Sequence, residues 1–447
     1  METDFPLEER IVQVFQHLGI ARAHVAASIT GDWRGLARRH SDLVASLTLV
    51  FPAPLDPTDV SALAARLLVV TADRGPDPER LRRSLSGLPD VALITLHDYL
   101  GETWADVIAD RTHEIRGPML EFLQRVDQQA TTKALALAEE EGEIAGVSYR
   151  IRGTGPPLAL FPLALAPSQW DPLLPALAAR YCTISLGGAA LGTVALLEAR
   201  GRLGYLGAVR SLMEAIQVRP AEVVVEIGCG SGVLIRWLAR QTGGANRIVG
   251  VDINRYLLRE AAALARRENL SEILTLQEGN AEALPLPDSS VDVAFACTVL
   301  EEGDADKMLA EMVRVTRPGG RVGVIVRAVD APWWVNLPLR AALKTKVDAP
   351  GRVGSGVAAG GCGDATIYRR FHRMGLAQLS LFPYLVPVTS ADPRFPVCER
   401  QHLAALAPEE AEEWRRAAAE AEADGTFFIA QPFHCAVGVK PDGKLHA

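Results

Sequence analysis

Val223-Val224-Val225-Glu226-Ile227-Gly228-Cys229-Gly230-Ser231-Gly232 is the stretch that decides how this chain folds. A β-branched run closes on an acid, glycines follow at every second position, and an apolar pattern of helical spacing (Val233, Leu234, Trp237, Leu238) starts at once. This reads as a strand, a tight turn and a helix N-terminus. Glycine accepts φ > 0 and lets a ligand lie against bare main chain, toward which helix N–H groups point. A dinucleotide fingerprint, G-x-G-x-x-G, would need glycine at 233, where this chain has Val. The spacing is acid-x-G-x-G-x-G; a purely structural turn is the competing reading.

Further along, Arg247–Asp252 is a second apolar strand ending in an acid. It lies about twenty residues past the glycine turn, where a ribose-binding carboxylate stands in a nucleotide-binding β-α-β unit. Leu276–Asp292 carries Asn280-Ala281-Glu282, and Arg314–Arg321 carries Pro318-Gly319-Gly320, a helix stop and a reversal. In this order the four segments resemble the class I S-adenosylmethionine (SAM) methyltransferases, in their ubiquinone/menaquinone C-methyltransferase-like branch. The resemblance implies SAM as methyl donor and S-adenosylhomocysteine as product. It implies cofactor contacts from Glu226, Gly228, Cys229, Gly230, Gly232, Asp252, Ile253, Asn280, Ala281, Glu282 and Cys297. It also implies a small, apolar or aromatic acceptor. Asn280 stands where the family usually has Asp; an amide both donates and accepts, so it can still read an adenine edge.

A chain of 447 residues is too long for one ordinary core, so two domains are expected. Its 49% apolar and 22% charged residues fit a globular protein. The net charge of −8, without a basic cluster, argues against a nucleic-acid partner. Cys182, Cys229, Cys297, Cys362, Cys398 and Cys435 are scattered, which suggests neither a metal site nor a disulfide framework, and a reducing cytoplasm. The acidic N-terminus lacks the apolar stretch of a signal peptide, and Pro156–Pro167 is too short to span a bilayer.

Periodicity predicts a lead-in helix at 205–217 and strands at 223–227, 248–252, 273–278, 291–297 and 321–327. Helices are expected at 233–242, 254–268 and 304–316, and the last two strands at Leu376–Phe382 and Phe433–Val439. Alternating strands and helices give a parallel α/β sheet with both faces covered. The resemblance makes it a Rossmann-like seven-stranded sheet over 201–447 with the final strand antiparallel. Insertions near 330–365, holding Trp333-Trp334 and the glycine-rich Gly351–Gly363, and near 399–425 read as substrate-binding covers or as plain surface segments. For the chemistry, Glu301 and Glu302 follow strand four, placed either at the methyl position or as caps on the next helix. Asp364, Tyr368 and His372 share a helix face, as acid/base groups or as packing.

The first half carries a different pattern. His24–Gly31 followed by a helix-like Trp33–Ser41 and the strand Ser46–Phe51 resembles the nucleophile elbow of α/β-hydrolases, with Ser28 as the elbow serine. Arg66–Thr71 and Val91–Leu96 read as further strands and Arg116–Val126 as a closing helix. Val147–Gly188 resembles the opening strands of the same fold, yet it comes second. The expectation is a circularly permuted hydrolase-like domain over 1–200, with a helix or linker near 127–146. Ala26 and Thr30 stand where glycines should flank the serine, and Pro162 has no N–H for an oxyanion. Asp98, Tyr99 and Gly101 take up the stretch where a late His is expected, leaving Asp73 unmatched; His113 lies in a helical segment. The domain is therefore expected to be a non-catalytic scaffold, lid or homodimer surface. A bifunctional hydrolase–methyltransferase and a non-catalytic SAM-binding protein are the alternatives.

Overall fold

The computed structural model describes residues 5–28, 31–52, 55–74, 76–99, 106–129, 132–350 and 356–442. Thr30, Gly101 and residues 351–355 of the glycine-rich loop lie outside the described residues. The chain divides into two compact units, Met1–Ala195 and Leu196–Ala447.

The first unit has strands β1 (Ala23–Ser28), β2 (Val44–Val50), β3 (Leu67–Ala72), β4 (Ala92–Leu96), β5 (Glu141–Ile144), β6 (Val147–Arg152), β7 (Pro157–Leu160) and β8 (Cys182–Gly187). They form one sheet in the order β4-β3-β2-β1-β7-β8-β6-β5. Pairing is parallel from β4 through β8, and antiparallel from β8 to β6 and from β6 to β5. β1, β2, β3 and β8 are buried along their whole length, as strands covered on both faces must be. Alternate residues enter opposite cores: Val25 and Ala27 join Phe15 and Trp33, while Ala26 joins Phe122 and Trp170. Near 127–146, where a helix or linker is expected, the described residues 132–140 form no helix. The preceding helix ends at Gln129, and β5 instead pairs with β6 through the turn Ala145-Gly146, with φ of 51° and 74°. Two positive φ values match the twist of a two-residue hairpin, and strand pairing overrides local helix propensity.

The second unit has β9 (Val223–Ile227), β10 (Arg247–Asp252), β11 (Leu274–Glu278), β12 (Val291–Cys297), β13 (Thr316–Arg327), β14 (Trp334–Val335), β15 (Ala377–Val388) and β16 (Ile429–Val439). The sheet order is β11-β10-β9-β12-β13-β16, with β15 and the two-residue β14 both beside β16. β9 to β13 are parallel and β16 is antiparallel to β13 and β15. Helices Tyr205–Ile216, Val233–Gln241, Arg255–Arg267 and Ala305–Val315 supply the cover. β15 runs past Phe382 through Pro383 and Pro387, which an edge strand tolerates because a missing N–H can face outward. Pro318 does not stop the helix before β13. That helix ends at Val315, Thr316 is already extended, and Pro318 lies within the strand.

The two insertions pack together. Trp333, Leu343, Val347, Phe395, Trp414 and Phe427 share one apolar cluster, in which the His402 ring stacks on Trp414 at 5.4 Å. The helices Ala341–Asp348, Phe395–Ala404 and Pro408–Ala423 therefore form a small packed layer beside β14 and β16.

Candidate functional site

The sheet of the second unit reverses direction at β9. β10 and β11 lie on one side of it and β12 and β13 on the other. In an open α/β sheet, ligands settle at the carboxyl ends of the strands flanking such a switch point.

The glycine turn stands at that point. Gly228, Gly230 and Gly232 have φ of 70°, 53° and 74°. A Cβ on Gly228 would also come within 2.3 Å of Val299 Cγ2, so conformation and space both require glycine there. Ser231 Oγ donates to Glu198 at 2.6 Å, and Arg236 donates to both oxygens of Glu198 while also pairing with Glu268. The helix behind the turn thus anchors it. Asp252 Oδ2 accepts the Gly230 N–H at 2.7 Å and Oδ1 accepts the Asn254 N–H at 2.8 Å, so the second strand-end acid shapes the turn directly. Ile253, next in sequence, is 69% exposed.

Glu226 is buried at the end of β9, and its Oε2 has no hydrogen-bond partner. Burial pushes its pKa well above the usual carboxylate range, with Arg200 opposing and Asp252 reinforcing the shift. Arg200 Nη1 donates to Thr298 Oγ1 at 2.9 Å, and its guanidinium lies 5.2 Å from the Tyr205 ring centre. Thr298 has φ of 56°, unusual for a β-branched residue and a mark of local strain. Cys229 and Cys297 are buried beside these groups, and burial raises both thiols. Sequence reasoning missed Arg200, Tyr205 and Thr298. Only the place of Thr298 just after a strand could have drawn attention to it.

Asn280 is exposed on the loop after β11, and its Oδ1 accepts the Glu282 N–H at 2.8 Å. Ala281 is half-buried between them. Glu282 turns toward the next helix, where Oε1 accepts the Asp304 N–H at 2.9 Å.

At the ends of β12 and β13, Glu301 is fully buried. Its Oε1 accepts the Arg327 backbone N–H at 2.7 Å, and its Oε2 has no hydrogen-bond partner. Burial raises its pKa against the pull of Arg327. Glu302 pairs with the Arg327 guanidinium at 3.1 Å. Neither acid caps the following helix; its N-cap is Asp304, whose Oδ1 accepts the Lys307 N–H at 3.1 Å. Tyr368 Oη lies 2.9 Å from His434 Nδ1, and His434 Nε2 lies 2.8 Å from Asp330 Oδ1. Asp330 Oδ2 accepts the Ala365 N–H at 3.0 Å. Asp364 accepts the Thr366 N–H at the start of the helix, and His372 is exposed on its last turn. Tyr368 is thus grouped with His434 and Asp330 rather than with Asp364 and His372.

Among the described residues no group of His, Cys, Asp and Glu could hold a metal ion, and no helix is long and apolar enough to cross a membrane.

In the first unit Ser28 ends β1, with a buried Oγ that has no hydrogen-bond partner. The expectation that no His follows β4 is overturned. His97 comes directly after the strand, and its Nδ1 lies 3.2 Å from Asp73 Oδ2. His113 is exposed on the helix Thr112–Gln129. His24, buried within β1, reaches Ser46 Oγ at 2.7 Å and Asp127 Oδ1 at 3.0 Å.

The switch point, the bare glycine turn and two strand-end acids define the second unit as a doubly wound α/β domain of the nucleotide-binding type. Residues 225–324 match the family described as a methyltransferase domain. A demethylmenaquinone methyltransferase of Lactobacillus johnsonii is 32% identical over 117 residues, covering 26% of this chain and 48% of its own. The methyltransferase GfsG of Streptomyces halstedii is 34% identical over 114 residues, covering 25% and 40%. The ubiquinone/menaquinone biosynthesis C-methyltransferase UbiE of Legionella pneumophila strain Corby is 32% identical over 121 residues, covering 26% and 47%. The chain thus spans less than half the length of these curated relatives. The YcgJ protein of Bacillus subtilis aligns over 53% of this chain and 100% of its own with 19% identity and a TM-score of 0.39, too weak a likeness to bear on function.

Proposed function

We propose that the chain transfers a methyl group from SAM to a small apolar or aromatic molecule. The observation that carries this reading is the unpartnered, buried Glu226 Oε2 at the mouth of a bare glycine turn. A buried carboxylate oxygen without a partner is costly, and a ligand ammonium would satisfy it. The surrounding groups fit the rest of SAM: Arg200 suits the carboxylate, Asp252 the ribose hydroxyls and the exposed Ile253 the adenine face. When bound, the sulfonium supplies an activated methyl carbon. The chain's own residues align the partners and hold the proton that is released. The names of two relatives concern quinone methylation, which supports an aromatic acceptor. The free, buried cysteines are compatible with a reducing cytoplasm. Calorimetry of the full chain with SAM, followed by mass analysis of a phenol and quinol panel, tests the reading; absence of SAM binding ends it.

For the first unit we infer a permuted hydrolase-derived scaffold. With β5-β6-β8-β7 read ahead of β1-β2-β3-β4, the sheet order becomes 1-2-4-3-5-6-7-8 with an antiparallel second strand, the arrangement of the fold it resembles. One observation favours retained hydrolysis as a second reading. Ser28 ends strand five of that order, Asp73 and His97 follow strands seven and eight, and Asp73 holds His97. Pro162, which has no N–H, weighs against it. Hydrolysis of a 4-nitrophenyl ester that survives Ser28→Ala unchanged would remove this second reading.

A further inference from the structure

We propose that Tyr368, His434 and Asp330 form a proton relay that removes the acceptor's proton during methyl transfer and delivers it to solvent. The proposal rests on the methyltransferase reading above.

A carboxylate only accepts hydrogen bonds, so when the His434 ring carries a single proton Asp330 holds it on Nε2. The Nδ1 lone pair then faces Tyr368, whose O–H donates to it across 2.9 Å. The chain of groups runs outward, from a half-buried phenol through a buried imidazole to a carboxylate that is 41% exposed. It adjoins the carboxyl ends of β12 and β13. Asp330 lies just past β13, and the loop leading to Tyr368 donates its Ala358 and Cys362 N–H groups to the carbonyls of Glu301 and Leu300.

Tyr368 alone is a poor base. Burial, with Cys435 and Asp330 nearby, pushes its pKa to about 12. The imidazole behind it overcomes this. As the acceptor oxygen bonds to the methyl carbon and the sulfur–carbon bond breaks, the acceptor's proton passes to Tyr368 Oη. The proton of Tyr368 moves at the same time to His434 Nδ1. The positive charge lost at sulfur thus reappears as imidazolium against the Asp330 carboxylate, which hands a proton to water. No phenolate forms.

The test uses the full chain with two phenols, 1-naphthol and pentafluorophenol; the second is already ionised at neutral pH. Tyr368→Phe and His434→Gln should each lower kcat on 1-naphthol by about 10²–10⁴-fold. SAM affinity should stay unchanged, and the rate on pentafluorophenol should fall far less, so the ratio of the two rates drops. Variants that slow both phenols alike, or neither, overturn the relay. A wild-type chain that binds SAM but methylates neither phenol also overturns it. A chain that binds no SAM fails at the donor reading instead.

Discussion

Glu301 Oε1 accepts the backbone N–H of Arg327 at 2.7 Å, so one buried carboxylate ties the exit of β12 to the exit of β13. Arg327 Nε also approaches that oxygen at 3.3 Å. Glu301→Ala should therefore cost about 1–3 kcal/mol, because it strips an acceptor from a buried N–H. Glu301→Gln should cost less, since the amide oxygen still accepts. Denaturant midpoints of the two variants decide this, and equal midpoints for Glu301→Ala and wild type would refute the tie.

Glu226 gives a pH signature. Its folded pKa is raised by burial, so the folded state holds the proton more tightly than the unfolded chain. That contribution to stability is complete below the unfolded value of about 4.3 and is lost as pH rises toward the raised folded value. Glu226→Gln lacks the titration. As pH rises above about 5, the melting temperature of the wild type should fall relative to that of the variant. SAM affinity of the variant should drop by about tenfold or more, the loss of one charge-assisted contact.

Arg236 is 2% exposed and held between Glu198 and Glu268. Because Glu198 also receives Ser231 Oγ, the pair stiffens the glycine turn. Arg236→Met should destabilise the chain by about 1–3 kcal/mol by leaving the half-buried carboxylates of Glu198 and Glu268 without their cation. It should weaken SAM binding as well. Adding Glu198→Gln should recover part of the stability; a fully additive double variant would show the two residues to be uncoupled.

In the first unit, Asp127 bonds His24 and Tyr181. Burial alone would raise its pKa, but His24, Tyr181 and Thr132 together hold it below the usual range. The stability gained is present above the unfolded value of about 3.9 and is lost as pH falls through the folded value. Asp127→Asn should cost about 1–3 kcal/mol near neutral pH. The difference should vanish in acid, as urea midpoints at the two pH values would show.

The legible features were local. In the second unit, strands β9 to β12 and their crossover helices fall within a residue or two of their expected bounds, because side-chain period and glycine punctuation are written over a few neighbouring residues. β5, the length of β15 and the place of Pro318 were not legible. Each is set by a partner strand that overrides local propensity.

The sequence by itself determined the glycine turn, the acids at the ends of β9 and β10, and the presence of two α/β units. These follow from backbone dihedral limits and from periodicity, which need no distant partner. Only the tertiary structure decided which side chains meet. Tyr368 joins His434 and Asp330, Asp73 joins His97, and Glu301 turns to Arg327, because sheet register and strand order bring together residues far apart in the chain.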